Sequence, residues 1–372
     1  MIPKVSICLP NLNTRQFLPE RFGTIRNQSF QNWELLAYDS YSDDGAWEYI
    51  QEQSRQDLRI RPWQGPREGS PGSWNPCIRE ARGEYVYIAT SDDTMPPDCL
   101  EKLVAALDAH PDCDIAHCPL KVIDENGNDG SDWWSRGSIF ARSSGAFLDC
   151  PHVRRAPFDG LLHLLGGSVY ISITQLLVRR TLFDRIGLFE SKWGSVSDFN
   201  WDMRAGLVAN TVHVPDTWGG WRIHPQQATA GAGTGSADHV RKIDEMIRHA
   251  FEVCEPLLPA AIRRRVNRHW VRRVEEFRAF ARDADACPSD ARRRLFVATR
   301  LLSGSAAARQ HVKSSLLRTR SWEDAFPNQI RGWLEEAGRS VLELSTTSHR
   351  QRNSAPNPEF QSVNQVPITG KV

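Results

Sequence analysis

Along the first 120 residues the apolar positions alternate between two spacings. Short runs read as strands: "KVSICL" (4–9), "WELLAY" (33–38), "LRIR" (58–61), "EYVYIA" (84–89), "DIAHC" (114–118) and, later, "YISITQLLV" (170–178). Between them, "RQFLPERFGTIRNQ", "DDGAWEYIQEQSRQ", "WNPCIREAR" and "PDCLEKLVAALDAH" place apolar residues at helical spacing. Strand and helix in strict succession predict an α/β fold with a mostly parallel sheet covered by helices. In such sheets ligands collect beyond the carboxyl ends of the strands, so the residues after each strand carry the chemistry.

Those residues are polar beyond what turns require. "PNLNTR" follows the first strand, "DSYSDDG" the second and "TSDDTMPP" the fourth, gathering acids and asparagines on one rim. From 119 to 169 the periodicity weakens and Gly, Ser and Trp intersperse, as in loops crossing that rim. The pattern divides the chain into an α/β region over 1–235, a basic helical extension over 236–345 and a polar tail, disordered by composition, over 346–372. In the extension Ile262, Val266, Trp270, Val274, Phe277 and Ala281 recur at helical spacing, with Arg263, Arg264, Arg268, Arg272 and Arg273 largely elsewhere around the axis. Such a helix either packs on its own domain with a solvated basic face, the reading its amphipathic pattern favours, or rests on an anionic membrane.

Composition narrows the partners. The 372 residues hold 46 basic and 45 acidic side chains, a net charge of +1, so no global field recruits nucleic acid. Eight cysteines without a CxxC pair suit a reducing, cytoplasmic setting. The opening "MIPKVSICLP" has too short an apolar run for a signal peptide, and no stretch of eighteen apolar residues occurs.

Five residues carry candidate chemistry. Asp92 and Asp93 are adjacent acids at a strand end; both stay ionised only beside a positive charge, which Mg²⁺ or Mn²⁺ would supply, unless one of them caps the helix starting near Pro97. Asp39 could accept from a base N–H or a ribose hydroxyl, or simply build a turn, with Asp44 and Gly45 opening the next helix. Asp198 in "SVSDFNWDMR" is either the cap of a short helix or a base for an attacking hydroxyl. His224 in "WRIHPQQ" is either structural or a neutral metal ligand.

Taken in order, "VSICLPNLNTRQFL", "LLAYDSYSDDGAWE", "WNPCIREARGEYVYIATSDD", "LLVRRTLFDRIGLF", "SDFNWDMR" and "WRIH" resemble a family 2 glycosyltransferase of the GT-A fold, over residues 4 to about 225. The resemblance implies an inverting enzyme that moves a sugar from a nucleoside-diphosphate sugar, with UDP favoured, to a saccharide, lipid-linked or protein hydroxyl. It implies Pro10, Asn13, Asp39, Asn75 and Asp92 at the nucleotide-sugar, Asp92, Asp93 and His224 on a divalent ion, and Asp198 as the base. Of the tryptophans at 133, 134, 193, 201, 218 and 221, Trp193 and Trp221 flank the implied base and histidine and are the candidates to hold the acceptor. The chain departs from the family pattern at Thr90, Ser197 and Ser40, where acids are common. A non-catalytic binder of nucleotide-sugar or glycan would keep Asp39 without needing Asp198. A sugar-phosphate nucleotidyltransferase would need a glycine-rich loop that "PNLNTR" lacks.

Overall fold

A computed structural model describes residues 2–130, 138, 140–141, 147–165, 167–227, 237–309, 312, 330–332, 335 and 342–344. In chain order the elements are β1 (Val5–Asn11), α1 (Leu18–Arg26), β2 (Trp33–Asp39), α2 (Ala46–Gln56), β3 (Ile60–Gln64), α3 (Gly69–Glu80), β4 (Tyr85–Ile88) and α4 (Cys99–Ala109). They continue with β5 (Ile115–His117), β6 (Leu120–Ile123), β7 (His152–Arg154), α5 (Phe158–Leu164), β8 (Leu176–Arg179), α6 (Thr181–Ile186), α7 (Ser197–Val208), β9 (Thr211–His213) and β10 (Gly219–Arg222). The remainder is α8 (Ala237–Cys254), α9 (Ala260–Arg263), α10 (Arg268–Asp285), α11 (Asp290–Leu302) and β11 (Leu342–Leu344).

The main sheet has the order β11-β7-β9-β5-β8-β4-β1-β2-β3. β8 lies antiparallel to both β4 and β5, and β7 antiparallel to β9 and β11; the other strands share one direction. β1 and β2 are buried at every position because helices cover both sheet faces. Period two then sorts their side chains. Val5, Ile7, Leu9, Leu35, Tyr85 and Tyr87 join α1, α2 and α4 in one apolar layer, while Cys8, Leu36, Val86 and Ile88 join the layer of α3 and α5–α7 on the other side.

The helices after residue 236 extend that second layer rather than standing apart. Ile243, Met246, Ile247, Phe251, Ile262, Val266, Trp270 and Val274 lie in the same apolar cluster as Trp201 and Phe189. The apolar stripe of α9–α10 is therefore turned inward and Arg263, Arg264, Arg268, Arg272 and Arg273 are exposed, as the packing alternative requires. β11 pairs with β7 and brings a strand from this region onto the sheet edge. The expected boundary at 235/236 falls among residues 228–236, and the tail 346–372, Trp133 and Trp134 likewise lie outside the described residues.

Two local differences from the periodicity have clear causes. The expected strand over 170–178 begins only at Leu176, because Ser172 and Gln175 form a capping box that winds Ile173–Gln175 into a 3-10 turn. α5 and α7 cross at backbone contact. A Cβ on Gly160 would stand 2.2 Å from the Leu207 nitrogen, and one on Gly206 2.6 Å from the Gly160 nitrogen, so neither position admits a side chain. Among the described residues no helix is long and apolar enough to cross a membrane.

Candidate active site

The ends of β1, β2 and β3 meet in a dense polar knot. In the parallel register Asn11 lies opposite Asp39, and Asp39 opposite Gln64. The Asp39 carboxylate is fully buried and accepts from Asn11 Nδ2 at 2.6 Å, Ser42 Oγ at 2.6 Å, the Ser42 N–H at 3.0 Å and Gln64 Nε2 at 2.9 Å. Its acceptor capacity is taken up within the protein, and the bond from Ser42 N–H is the turn its sequence context allows. Asn13 sits in the left-handed region (φ 52°); its N–H donates to Ser42 Oγ at 2.9 Å and its Oδ1 accepts the Asp43 N–H at 3.0 Å. Pro10 is buried beside Tyr38 in the same register. Asp44 and Gly45 open α2 as expected, Asp44 accepting the Ala46 N–H at 3.0 Å and Gly45 (φ 86°) holding the cap position. At the mouth of the knot, Leu12 and Tyr41 are exposed apolar side chains that the motif reading did not single out.

The acids after β4 have unequal surroundings. Asp93 is buried, accepts the Arg222 N–H on Oδ1 at 2.9 Å and is hydrogen-bonded by Thr90 Oγ1 on Oδ2. Burial, and then the neighbouring Asp92 charge, push its carboxyl up to about 7. Asp92 is more open and lies 3.0 Å from His224 Nε2. His224 is held by its ring contact with Phe17, 4.8 Å between centroids. Arg222 locks the arrangement, donating to the Asp92 carbonyl at 2.7 Å, the Asp124 carbonyl at 3.0 Å and Glu20 Oε2 at 2.5 Å.

The strand carrying Arg222 is fixed to the acidic turn by reciprocal bonds between Thr94 and Gly220, at 3.0 and 2.9 Å. Neither acid caps α4; the cap position is Asp98, which pairs with Lys102 at 2.7 Å. The pair Asp92–His224 offers one hard oxygen and one imidazole nitrogen side by side, which suits a borderline divalent ion completed by phosphate oxygens and water. The Asp93 oxygens face inward instead. Among the described residues, no three His, Cys, Asp or Glu side chains are arranged to hold an ion by themselves.

Asn75, expected at the nucleotide-sugar, has its amide engaged by backbone. Its Nδ2 donates to the Phe189 carbonyl at 2.8 Å and its Oδ1 accepts the Phe189 N–H at 3.1 Å, so both ends of the amide clamp the segment that leads to α7. Trp201 Nε1 grips the same segment at the Gly187 carbonyl, 3.1 Å away, and Arg204 does so at the Leu188 carbonyl, 2.8 Å away. That segment delivers Asp198 to the first turn of α7. The cap position there is Val196, so Asp198 is not the cap; its Oδ1 accepts the Phe199 N–H at 2.8 Å.

Loss of water pushes the Asp198 carboxyl up to about 6. One turn on, buried Asp202 is raised well above the usual carboxylate range by burial and by Asp198, and its Oδ1 has no hydrogen-bond partner among the described residues. The i, i+4 acids of "SDFNWD" were the available signal for this second carboxyl. Trp193, expected at an acceptor, is buried 5.6 Å from the His249 ring and belongs to the core; a sugar cannot reach its face. Trp221 is half-buried against that core on β10.

Comparison with known proteins agrees with this picture. Residues 6–172 match the family described as "Glycosyl transferase family 2". EpsE of Bacillus subtilis (strain 168), a provisionally named glycosyltransferase, is 33% identical over 133 residues, covering 35% of this chain and 47% of that protein. The GalNAc(5)-diNAcBac-PP-undecaprenol beta-1,3-glucosyltransferase of Campylobacter jejuni is 29% identical over 105 residues, covering 28% of this chain and 34% of that one. This chain thus spans less than half the length of either relative. The crystal structure of S. aureus TarS 1-349 in complex with UDP-GlcNAc superposes with a TM-score of 0.52 at 14% identity, over 97% of this chain and all of that one, which shows the shared GT-A fold. The sequence match to family 2 glycosyltransferases thus runs from β1 to the start of the 3-10 turn and takes in the parallel strands that end in the acidic rim.

Proposed function

We propose that this chain transfers a sugar, with inversion, from a UDP-linked donor to a hydroxyl acceptor in the building of a polysaccharide or glycoconjugate. The reading is carried by Asp92 and His224, 3.0 Å apart at the end of β4. The TarS complex with UDP-GlcNAc and the undecaprenol-linked substrate named for the Campylobacter relative support a UDP donor and a lipid-linked acceptor respectively.

Asp92 and His224 would hold Mn²⁺ or Mg²⁺, whose charge offsets the negative charge developing on the departing diphosphate. Asp93 braces the turn through Thr90 and Arg222. Asp39, saturated by its neighbours, shapes the uridine site through Asn11, Asn13 and Ser42, while Leu12 and Tyr41 provide an apolar flank for the base. Asp198 accepts the proton of the acceptor hydroxyl as that oxygen bonds to the anomeric carbon. The bond to the diphosphate oxygen breaks on the opposite face and its electron pair leaves with UDP. A carboxyl at about 6 is ionised at neutral pH yet more basic than a solvated aspartate, as a general base requires.

The test is a melting-temperature panel of UDP, GDP and their sugars with and without Mn²⁺, followed by donor turnover. Stabilisation by a UDP-sugar that depends on Mn²⁺ and is lost in His224→Ala supports the assignment. Stabilisation without turnover would favour the non-catalytic binder, and no response to any nucleotide would overturn both readings.

A further inference from the structure

The charge of the molecule is concentrated at one end. Between residues 260 and 302 there are twelve arginines against five acids, a net charge of +7 where the whole chain carries +1. Arg263, Arg264, Arg268, Arg272 and Arg273 emerge from α9–α10, whose apolar side is already buried. α11 differs. Its inner side, Phe296, Val297 and Leu301, packs against Phe280 and Ala284 of α10. Its outer side shows Leu295 at 65% and Leu302 at 89% exposure, seven residues apart and so on one line of the helix. Arg292 and Arg294, both exposed, fall on either side of that line at about 100° per residue.

Large aliphatic side chains held in water beside cations are costly unless an apolar phase with anionic groups meets them. We propose that the chain docks on an anionic lipid bilayer through the outer face of α11, with Leu295 and Leu302 entering the interface and Arg292 and Arg294 at the headgroups. Charge complementarity selects this occupant. A second copy would oppose +7 with +7, and a nucleic acid offers phosphates but no apolar layer for the leucines. Each arginine brought to an anionic surface strengthens partition about fivefold. The proposal is independent of the catalytic reading, since an inactive chain would still bind.

The test is cosedimentation of the full chain with vesicles of phosphatidylcholine alone and of phosphatidylcholine mixed with phosphatidylglycerol. Wild type is expected to sediment with the mixed vesicles and not with the neutral ones. Leu295→Ser with Leu302→Ser, and separately Arg292→Glu with Arg294→Glu, should each lower the bound fraction about tenfold or more at an unchanged melting temperature. If one pair of substitutions lowers the melting temperature, the other pair decides. Equal recovery on neutral vesicles, no recovery on anionic ones, or wild-type binding by the folded variants overturns the proposal. So does binding to duplex DNA that survives loss of the leucines and competes fully with the vesicles.

Discussion

Asp39, at the end of β2, and Asp198, in the first turn of α7, are both carboxylates proposed for one site, yet their surroundings are opposite. Asp39 is fully buried among donors from Asn11, Ser42 and Gln64, and hydrogen bonding takes the place of the water it has lost. Asp198 has lost water as well, but the Phe199 N–H is poor compensation, and its carboxyl rises to about 6. The Asp39 oxygens are already engaged by four donor groups, whereas an under-solvated carboxyl such as Asp198 favours the protonated form. The difference matches the roles proposed for them, Asp39 in shaping a nucleotide site and Asp198 in accepting a proton.

The sharpest way to break the comparison is to exchange each carboxylate. Asp198→Asn should reduce sugar transfer by about 10² to 10⁴-fold while nucleotide-induced stabilisation persists, measured by turnover and melting on the same samples. A parallel loss of donor binding would make Asp198 structural. Asp39→Ala should act the other way, lowering stability by about 3 kcal/mol because four donors lose a buried acceptor, as read from denaturant unfolding. An Asp39→Ala protein as stable as wild type would mean that the knot is solvated and Asp39 available to ligand.

Asn75→Ala tests the clamp at intermediate size: about 1 to 2 kcal/mol of stability, with kcat reduced more than donor KM is raised, because the segment feeding α7 loosens. The smallest effect is a pH dependence. A carboxyl whose folded-state pKa is raised to about 6 favours the folded state at low pH, and this contribution is lost as pH rises through about 6. Asp198→Asn should therefore melt roughly 2 to 4 °C above wild type at pH 8, with the gap closing below the unfolded-state value near pH 4. Turnover of wild type should rise over the same interval as the base ionises.

Much of this site was legible where local pattern and chemistry coincide. β1, β2 and β4 are largely apolar runs ending in polar residues, because parallel strands buried on both faces favour apolar side chains; Ser6 and Glu34 interrupt β1 and β2 and bond to each other. The acids Asp39, Asp92 and Asp93 followed from their places at strand ends. Partner choice was not legible. Asn75 and Phe189 lie 114 residues apart, and Arg222 and Glu20 lie 202 apart, so no spacing rule could assign the amide to a clamp or the arginine to the acidic turn. Trp193 misleads for a related reason: an indole beside a base in sequence is placed by the helix that covers it, here α8 with His249.

The crossing of α5 and α7 bears on how this protein can change. α7 carries in its first turn Asp198, the residue proposed to take the proton, and its distance from α5 is fixed at Gly206 by the absence of a single carbon atom. A methyl group introduced there would act as a shim, tilting the end of the helix that carries Asp198. At this joint, on the proposed reading, the smallest increment of bulk would move the base itself.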